Sequence, residues 1–242
     1  MLDILANSIF LLIPYLIYFI ICFKLYCKKI NIKTSITYFL FGIIPVPVIK
    51  TAFYFFPFLF QPINWNAFGL FSVGLEHIWI TGIFFFFVQI ALMEEMSKLI
   101  SLKFGENFIN KKNCLFQTMF YSSMIACGFS YVENITYVMG NSDNLLARML
   151  LPSGLHILCG CIIGYFVGNL IEKSKEIKKF SFEYVKAWFT TYFVGIFAAS
   201  TLHGIYNYSI NYTHDAANTI LFDALKIYPI NLVEKQILEW GI

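Results

Sequence analysis

The chain has 242 residues, of which 59% are hydrophobic, 19% aromatic and only 13% charged. Soluble domains average about 45–50% apolar and about 25% charged residues, so this composition excludes a disordered chain and describes one solvated mainly by lipid. The net charge of +3, with lysines scattered rather than striped along one face, argues against a nucleic-acid module.

A membrane-spanning helix needs about 20 mostly apolar residues. Six stretches meet this, at 5–26, 36–58, 80–103, 115–139, 146–170 and 187–210. The first has no basic region ahead of its apolar run, so it is expected to stay as a span rather than be cleaved as a leader. The second holds Pro45, Pro47, Lys50 and Pro57 and is expected to kink. After Asn211, Ile220, Leu221, Ala224, Leu225 and Tyr228 recur at helical spacing. Pro229 interrupts the stripe, and Val233, Ile237 and Trp240 resume it. The tail over 212–242 therefore reads as an amphipathic helix on the membrane surface. The expected fold is all-α: a polytopic transmembrane helix bundle of about six spans plus this tail, forming one membrane domain over 1–242. No internal repeat, Gly/Ser linker or separate soluble domain is evident.

Orientation follows from lysine and arginine. The connections after the first, third and fifth spans, with the adjoining span ends, hold 13 of the 17 basic residues. Those connections are expected in the cytoplasm, with both termini outside. The six cysteines, Cys22, Cys27, Cys114, Cys127, Cys159 and Cys161, contain no CxxC and read as small buried apolar residues.

Ionisable side chains inside spans are costly and mark functional sites by default. Of 14 carboxylates, only Glu94, Glu95 and Glu133 lie well inside spans, with Lys98 beside the first two. Two of four histidines, His156 and His203, do the same. This is the residue set of proton transfer or metal ligation. In the third span Glu94 stands four residues and Glu95 three before Lys98, so either can pair with it. A pair that merely braced the bundle would need one glutamate, not two. In the fourth span Phe129 and Glu133 share a face, Asn134 follows, and Gly128 allows close approach of another helix. Gly160, Gly164 and Gly168, beyond His156, read as a packing face. His203 and Asn207 share a face in the sixth span, where the amide can orient the imidazole. His77 and His214 fall in outer segments and read as solvated. HExxH and Gly-x-Ser-Gly are absent, which argues against a conventional zinc-protease helix or a serine protease.

Glu94-Glu95-x-x-Lys98, Gly128-Phe129-x-x-x-Glu133-Asn134, His156 and His203-x-x-x-Asn207, each on its own apolar span and in this order, resemble the PrsW family of bacterial intramembrane proteases. These are distant relatives of the CAAX prenyl endopeptidases. The resemblance covers roughly residues 80–210, the expected catalytic core. It implies peptide hydrolysis in the bacterial cytoplasmic membrane, with a single-span membrane protein as substrate and a first extracytoplasmic cut in an anti-sigma factor as the typical role. It implies Glu94 or Glu95 as general base on a water, with Glu133, His156 and His203 positioning that water or stabilising the oxyanion. Lys98, Asn134, Asn207 and Phe129 would support them. Two chemistries stay open: Zn²⁺ held by His156, His203 and Glu133, or a metal-free, glutamate-activated water. Two other functions use the same residues. One is processing of prenylated or bacteriocin-like peptides. The other is a proton-coupled transporter, against which the lack of a repeat counts.

Overall fold

The computed structural model describes residues 2–26, 30–55, 85–106, 114–140, 145–177 and 181–225. They are helical with no strand among them: α1 (Leu2–Leu11), α2 (Ile13–Tyr26), α3 (Ile32–Ile43), α4 (Pro45–Phe55), α5 (Met93–Gly105), α6 (Leu115–Gly140), α7 (Leu145–Lys173), α8 (Phe182–Phe189) and α9 (Gly195–Leu225). Every stretch expected to span contributes a helix. Three helical runs, Ala6–Leu25, Ile32–Thr51 and Met149–Lys173, are long and apolar enough to cross a membrane by length and composition. Glu94, Glu95, Lys98, Glu133 and His203 lie on the other runs, which pack in the same bundle.

Breaks in the helices have local causes. Pro14 lacks an N–H and interrupts the ladder between α1 and α2, where Leu12 bonds back to Ile9. Pro45 does the same at the α3–α4 junction, where the kink was expected. Asn31 caps α3 by accepting the Thr34 N–H at 3.1 Å, and Ser181 caps α8 through Tyr184 at 3.2 Å. Two π-helical segments, Phe85–Leu92 and Thr190–Val194, lead directly into α5 and α9. Each widens a turn and so re-aims the residues that follow. Pro152, by contrast, lies inside α7 without ending it.

The bundle is ordered around α6, which packs along α7 and is crossed by α3. Small residues permit this. A Cβ on Gly160 would lie 2.8 Å from Ser123 Cα, and one on Gly164 would lie 2.5 Å from Met119 Cα. The glycine stripe is thus a packing face, as expected. Gly128 and Gly42 serve the α3–α6 crossing in the same way. Near the lysine-rich connections the core is apolar and aromatic. Tyr38 stacks on Tyr121 at 5.0 Å and donates to the Gly105 carbonyl at 2.5 Å, amid Phe120, Ile125, Leu102 and Val167. Ile9, Leu16, Ile17, Ile20 and Ile21 face outward, as a lipid-facing surface requires. The helix begun at Gly195 continues through 212–225, the first part of the expected amphipathic tail. Residues 226–242, His77 and Cys27 lie outside the described residues, as does the side chain of His214.

Gly164→Ala should therefore lower thermal stability by roughly 1–3 kcal/mol, because the backbone of α6 must move to admit a methyl group. Gly154→Ala, whose Cβ meets nothing within 4 Å, should be neutral or slightly stabilising. Thermal unfolding of the two variants in detergent checks the pair; equal midpoints would refute the packing role of the stripe.

Candidate active site

The site begins with Glu95. Its residue has no exposed surface, and a carboxylate in that position must find cationic or N–H partners. Lys98, one turn along α5, supplies the first: Nζ lies 2.7 Å from Glu95 Oε1. The sequence left Lys98 a choice between two glutamates, and the structure pairs it with Glu95. Lys98 is itself 3% exposed and has two further partners. Nζ lies 2.8 Å from His156 Nδ1 and 4.4 Å from the centroid of the Phe129 ring. His203 supplies the second partner of Glu95, with Nδ1 2.8 Å from the same Oε1.

These bonds assign the two imidazole tautomers. An ammonium can only donate, so His156 Nδ1 accepts and a neutral ring keeps its hydrogen on Nε2. A carboxylate can only accept, so His203 Nδ1 donates and a neutral ring keeps a lone pair on Nε2. The two rings meet edge to face with centroids 4.8 Å apart. Their Nε2 atoms face the two remaining carboxylates. His156 Nε2 lies 2.8 Å from Glu133 Oε2, and His203 Nε2 lies 3.8 Å from Glu94 Oε2. The first is a close contact rather than an aligned hydrogen bond, since Glu133 Oε2, like Glu94 Oε2 and Glu95 Oε2, is a buried atom without a hydrogen-bond partner.

Accessibility divides the cluster. The side chains of Glu94 and Glu133 are 14% and 17% exposed, whereas those of Glu95, Lys98, His156 and His203 are 0–3% exposed. The open side therefore carries Glu94 and Glu133, and the closed side carries the Glu95–Lys98 ion pair, in which Oε1 takes both contacts and Oε2 has no hydrogen-bond partner. Donor atoms of Glu94, His156 and His203 lie within 4.8 Å of one another, close enough to share a water or a cation. The set suits a divalent metal in number and kind. His203 also has the backing of a ligated histidine, a carboxylate on its other nitrogen. His156 does not fit as it stands, because Lys98 on Nδ1 puts a hydrogen where the metal needs a lone pair. The metal set read from the sequence named Glu133; the geometry groups Glu94 with the histidines, with Glu133 beside His156.

The predicted residues Glu94, Glu95, Lys98, Phe129, Glu133, His156 and His203 thus come together from four helices. Asn207 lies one turn beyond His203, half-buried. Asn134, adjacent in sequence to Glu133, turns elsewhere: its Nδ2 reaches Tyr15, Ser130 and Ser153. Tyr15 was not singled out in the sequence, where one tyrosine among 15 carries no signal, and Ser153 was considered only in setting aside a serine protease. Lys50 was noted only as interrupting the second span, yet it is close enough to Glu133 for the two charges to interact. Cys22, Cys114, Cys127, Cys159 and Cys161 are free thiols, and none of them joins the ionisable cluster.

A sequence profile described as the PrsW family intramembrane metalloprotease matches residues 36–233. Proteins named Protease PrsW are similar to the chain. That of Oceanobacillus iheyensis is 33% identical over 127 residues, 50% of this chain and 52% of that protein. That of Geobacillus kaustophilus is 30% identical over 123 residues, 50% of each. That of Bacillus subtilis is 30% identical over 89 residues, 36% of each. The matches span about half the length of these curated relatives, or less. No solved structure matches the chain. The profile covers most of the chain and all four helices that meet at the cluster, and the chain belongs to the PrsW family of intramembrane proteases.

Proposed function

We propose that this chain is an intramembrane endopeptidase in which Glu94 activates the hydrolytic water. The observation that carries the reading is the Glu94 carboxylate: partly exposed on the open side of the charge cluster, with Oε2 lacking a hydrogen-bond partner and lying 3.8 Å from His203 Nε2. A carboxylate in that position has a lone pair to offer a water proton. The His203 Nε2 lone pair orients the same water by accepting its second hydrogen. The water oxygen attacks the scissile carbonyl carbon as Glu94 takes the first proton. The His156 Nε2–H, which makes no aligned hydrogen bond to the nearby Glu133, donates to the resulting oxyanion. Glu94 then passes its proton to the amide nitrogen, the C–N bond breaks, and an amine and a carboxylic acid leave. Glu95 and Lys98 never meet substrate; they hold the two rings in the tautomers that this division of labour requires.

A second reading has a specific observation behind it, the approach of Glu94, His156 and His203 donor atoms to within 4.8 Å, and the family's description as metalloproteases agrees with it. In that case the three residues would hold Zn²⁺ once Lys98 left His156 Nδ1 and the ring's hydrogen moved there from Nε2, and the metal would supply Lewis-acid polarisation. As for the substrate, we favour a single-span membrane protein of the bacterial cytoplasmic membrane, such as an anti-sigma factor, cut on its extracytoplasmic side. The lysine-rich connections favour an outward-opening site.

Glu94→Gln should reduce turnover by about 10²–10⁴ while leaving thermal stability near that of the wild type, because Glu94 has no short ionic contact to lose. Glu95→Gln and Lys98→Ala should lose both activity and folded yield, each leaving a buried charge uncompensated at a cost of roughly 3–5 kcal/mol. Comparing new N-termini in membranes from cells expressing wild type or Glu94→Gln tests the reading. Termini clustered just outside a partner's span and missing from the variant support it; identical termini at equal protein levels would sink it. The two chemistries separate on metal content. Metal-free protein with full activity overturns the zinc reading. Activity lost on chelation and restored by one equivalent of Zn²⁺, with that equivalent found bound, overturns the metal-free one.

A further inference from the structure

Below the charged cluster lies a second polar group that the proposed mechanism does not use. Tyr15, on α2 just past the Pro14 kink, is 3% exposed and reaches into the bundle between α6 and α7. Its hydroxyl donates to Ser130 Oγ at 3.0 Å and accepts from Asn134 Nδ2 at 3.2 Å. It also lies 2.8 Å from Ser153 Oγ, in a hydrogen bond that either hydroxyl could donate. The Tyr15 hydroxyl thus has three polar partners. Asn134 Nδ2 lies 3.3 Å from Ser130 Oγ and 3.1 Å from Ser153 Oγ as well, so the four side chains are cross-linked to one another. Ser130, Asn134 and Ser153 are each at most 1% exposed.

The positions of these groups matter more than their number. Ser130 and Asn134 flank Glu133 on α6, three residues before it and one after. Ser153 lies three residues before His156 on α7 and shares its face. The clamp therefore ties together the two helical turns that carry the 2.8 Å Glu133–His156 contact. It does so where another means is needed. The glycine stripe that fixes α6 against α7 runs from Gly160 to Gly168, on the far side of His156, and Gly154 meets nothing. At the site end, a polar cross-link takes the place of backbone-to-backbone packing. Tyr15 supplies the third corner from a helix whose outward face is mostly isoleucine and leucine, and that helix lies outside the residues the family profile matches.

We infer that Tyr15 is a positioning residue: its hydroxyl sets the α6–α7 register that holds Glu133 and His156 at working distance. The inference rests on the hydrolytic reading above. A buried hydroxyl serving only stability would behave like that of Tyr38, which donates to the Gly105 carbonyl at the opposite end of the bundle. Tyr15→Phe and Tyr38→Phe each remove one buried hydroxyl and keep the ring, so they form a matched pair.

The experiment uses full-length protein in lipid vesicles and a synthetic single-span peptide with fluorophore and quencher on either side of the point where the span leaves the bilayer. Tyr15→Phe is expected to lower kcat about tenfold or more with KM within twofold of the wild type, since the substrate-facing surface is untouched. Tyr38→Phe is expected to lose a similar amount of thermal midpoint with kcat within twofold. Tyr15→Phe with kcat within twofold of the wild type overturns the inference. So does a kcat loss that Tyr38→Phe reproduces at an equal drop in midpoint. Should Tyr15→Phe fail to fold, Ser153→Ala, which removes one arm of the clamp, is read by the same criteria. Glu94→Gln in the same assay separates the levels. Wild-type turnover in that variant overturns the hydrolytic reading and this inference with it, whereas an inactive Glu94→Gln beside a normal Tyr15→Phe overturns the inference alone.

Discussion

A single oxygen atom, Glu95 Oε1, organises this molecule. It lies in a turn with no solvent and is met at 2.7 Å by an ammonium and at 2.8 Å by an imidazole nitrogen. A carboxylate stripped of water in an apolar bundle costs several kcal/mol unless such partners compensate it, and removing either would leave an unpaired group behind. The requirement is stricter in lipid, where no water can stand in for a lost partner. It forces α5 and α9 together. Through Lys98 and His156 it brings in α7, and through the Phe129 ring it brings in α6. The four-helix site is a consequence of satisfying one buried charge.

Packing and chemistry share the same helices but occupy different ends of them. Glycines at 160, 164 and 168 let α7 lie against the α6 backbone over the half nearest the lysine-rich connections. Closer to the site the contact becomes polar, because groups that must hold set distances cannot rely on a slippery apolar seam. The π segments lie one on each side of this division. Both sit one step before the helices bearing Glu94, Glu95 and His203, and the second packs beside the glycine stripe, where Thr191 donates to the Phe166 carbonyl. A widened turn changes which face the following residues present, so the register of the catalytic side chains is set separately from that of the lipid-facing ones. Gly204, next to His203, then allows α9 to close on Phe87 within the first of these segments, where a Cβ would meet its Cα at 3.0 Å.

Much of the site was legible because lipid makes ionisable residues conspicuous. Glu94, Glu95, Glu133, His156 and His203 stand out by being present at all among apolar neighbours. The kink at Pro45 and the glycine packing face were legible because their causes are local. What could not be read were choices between equivalent partners. Lys98 can reach back to either glutamate by helical spacing alone, and what decides for Glu95 is where His156 and His203 arrive from other helices. The same holds for Asn134. Its place after Glu133 suggested a role beside that carboxylate, but successive residues on a helix point about 100° apart, and the amide turns instead to Tyr15. Neither π segment has a sequence signature, so the exact aim of Glu94 and His203 was beyond reach.

The opposite tautomers of the two histidines decide what kind of chemistry these residues suit. Had both imidazoles been backed by carboxylates, both would turn lone pairs toward Glu94, and the site would be a conventional three-ligand cation cage. Lys98 breaks that symmetry. It places a donor on His156 Nδ1 and so converts the opposite edge of that ring from a lone pair into an N–H. One histidine then accepts and the other donates across the same small gap. This is the pairing that hydrolysis needs, one group to steer the water's hydrogen and one to meet the negative oxygen that forms. The lysine that compensates Glu95 thus also differentiates the two rings. In the proposed mechanism the second glutamate of the pair is left to carry the proton, which gives each carboxylate of the motif its own task.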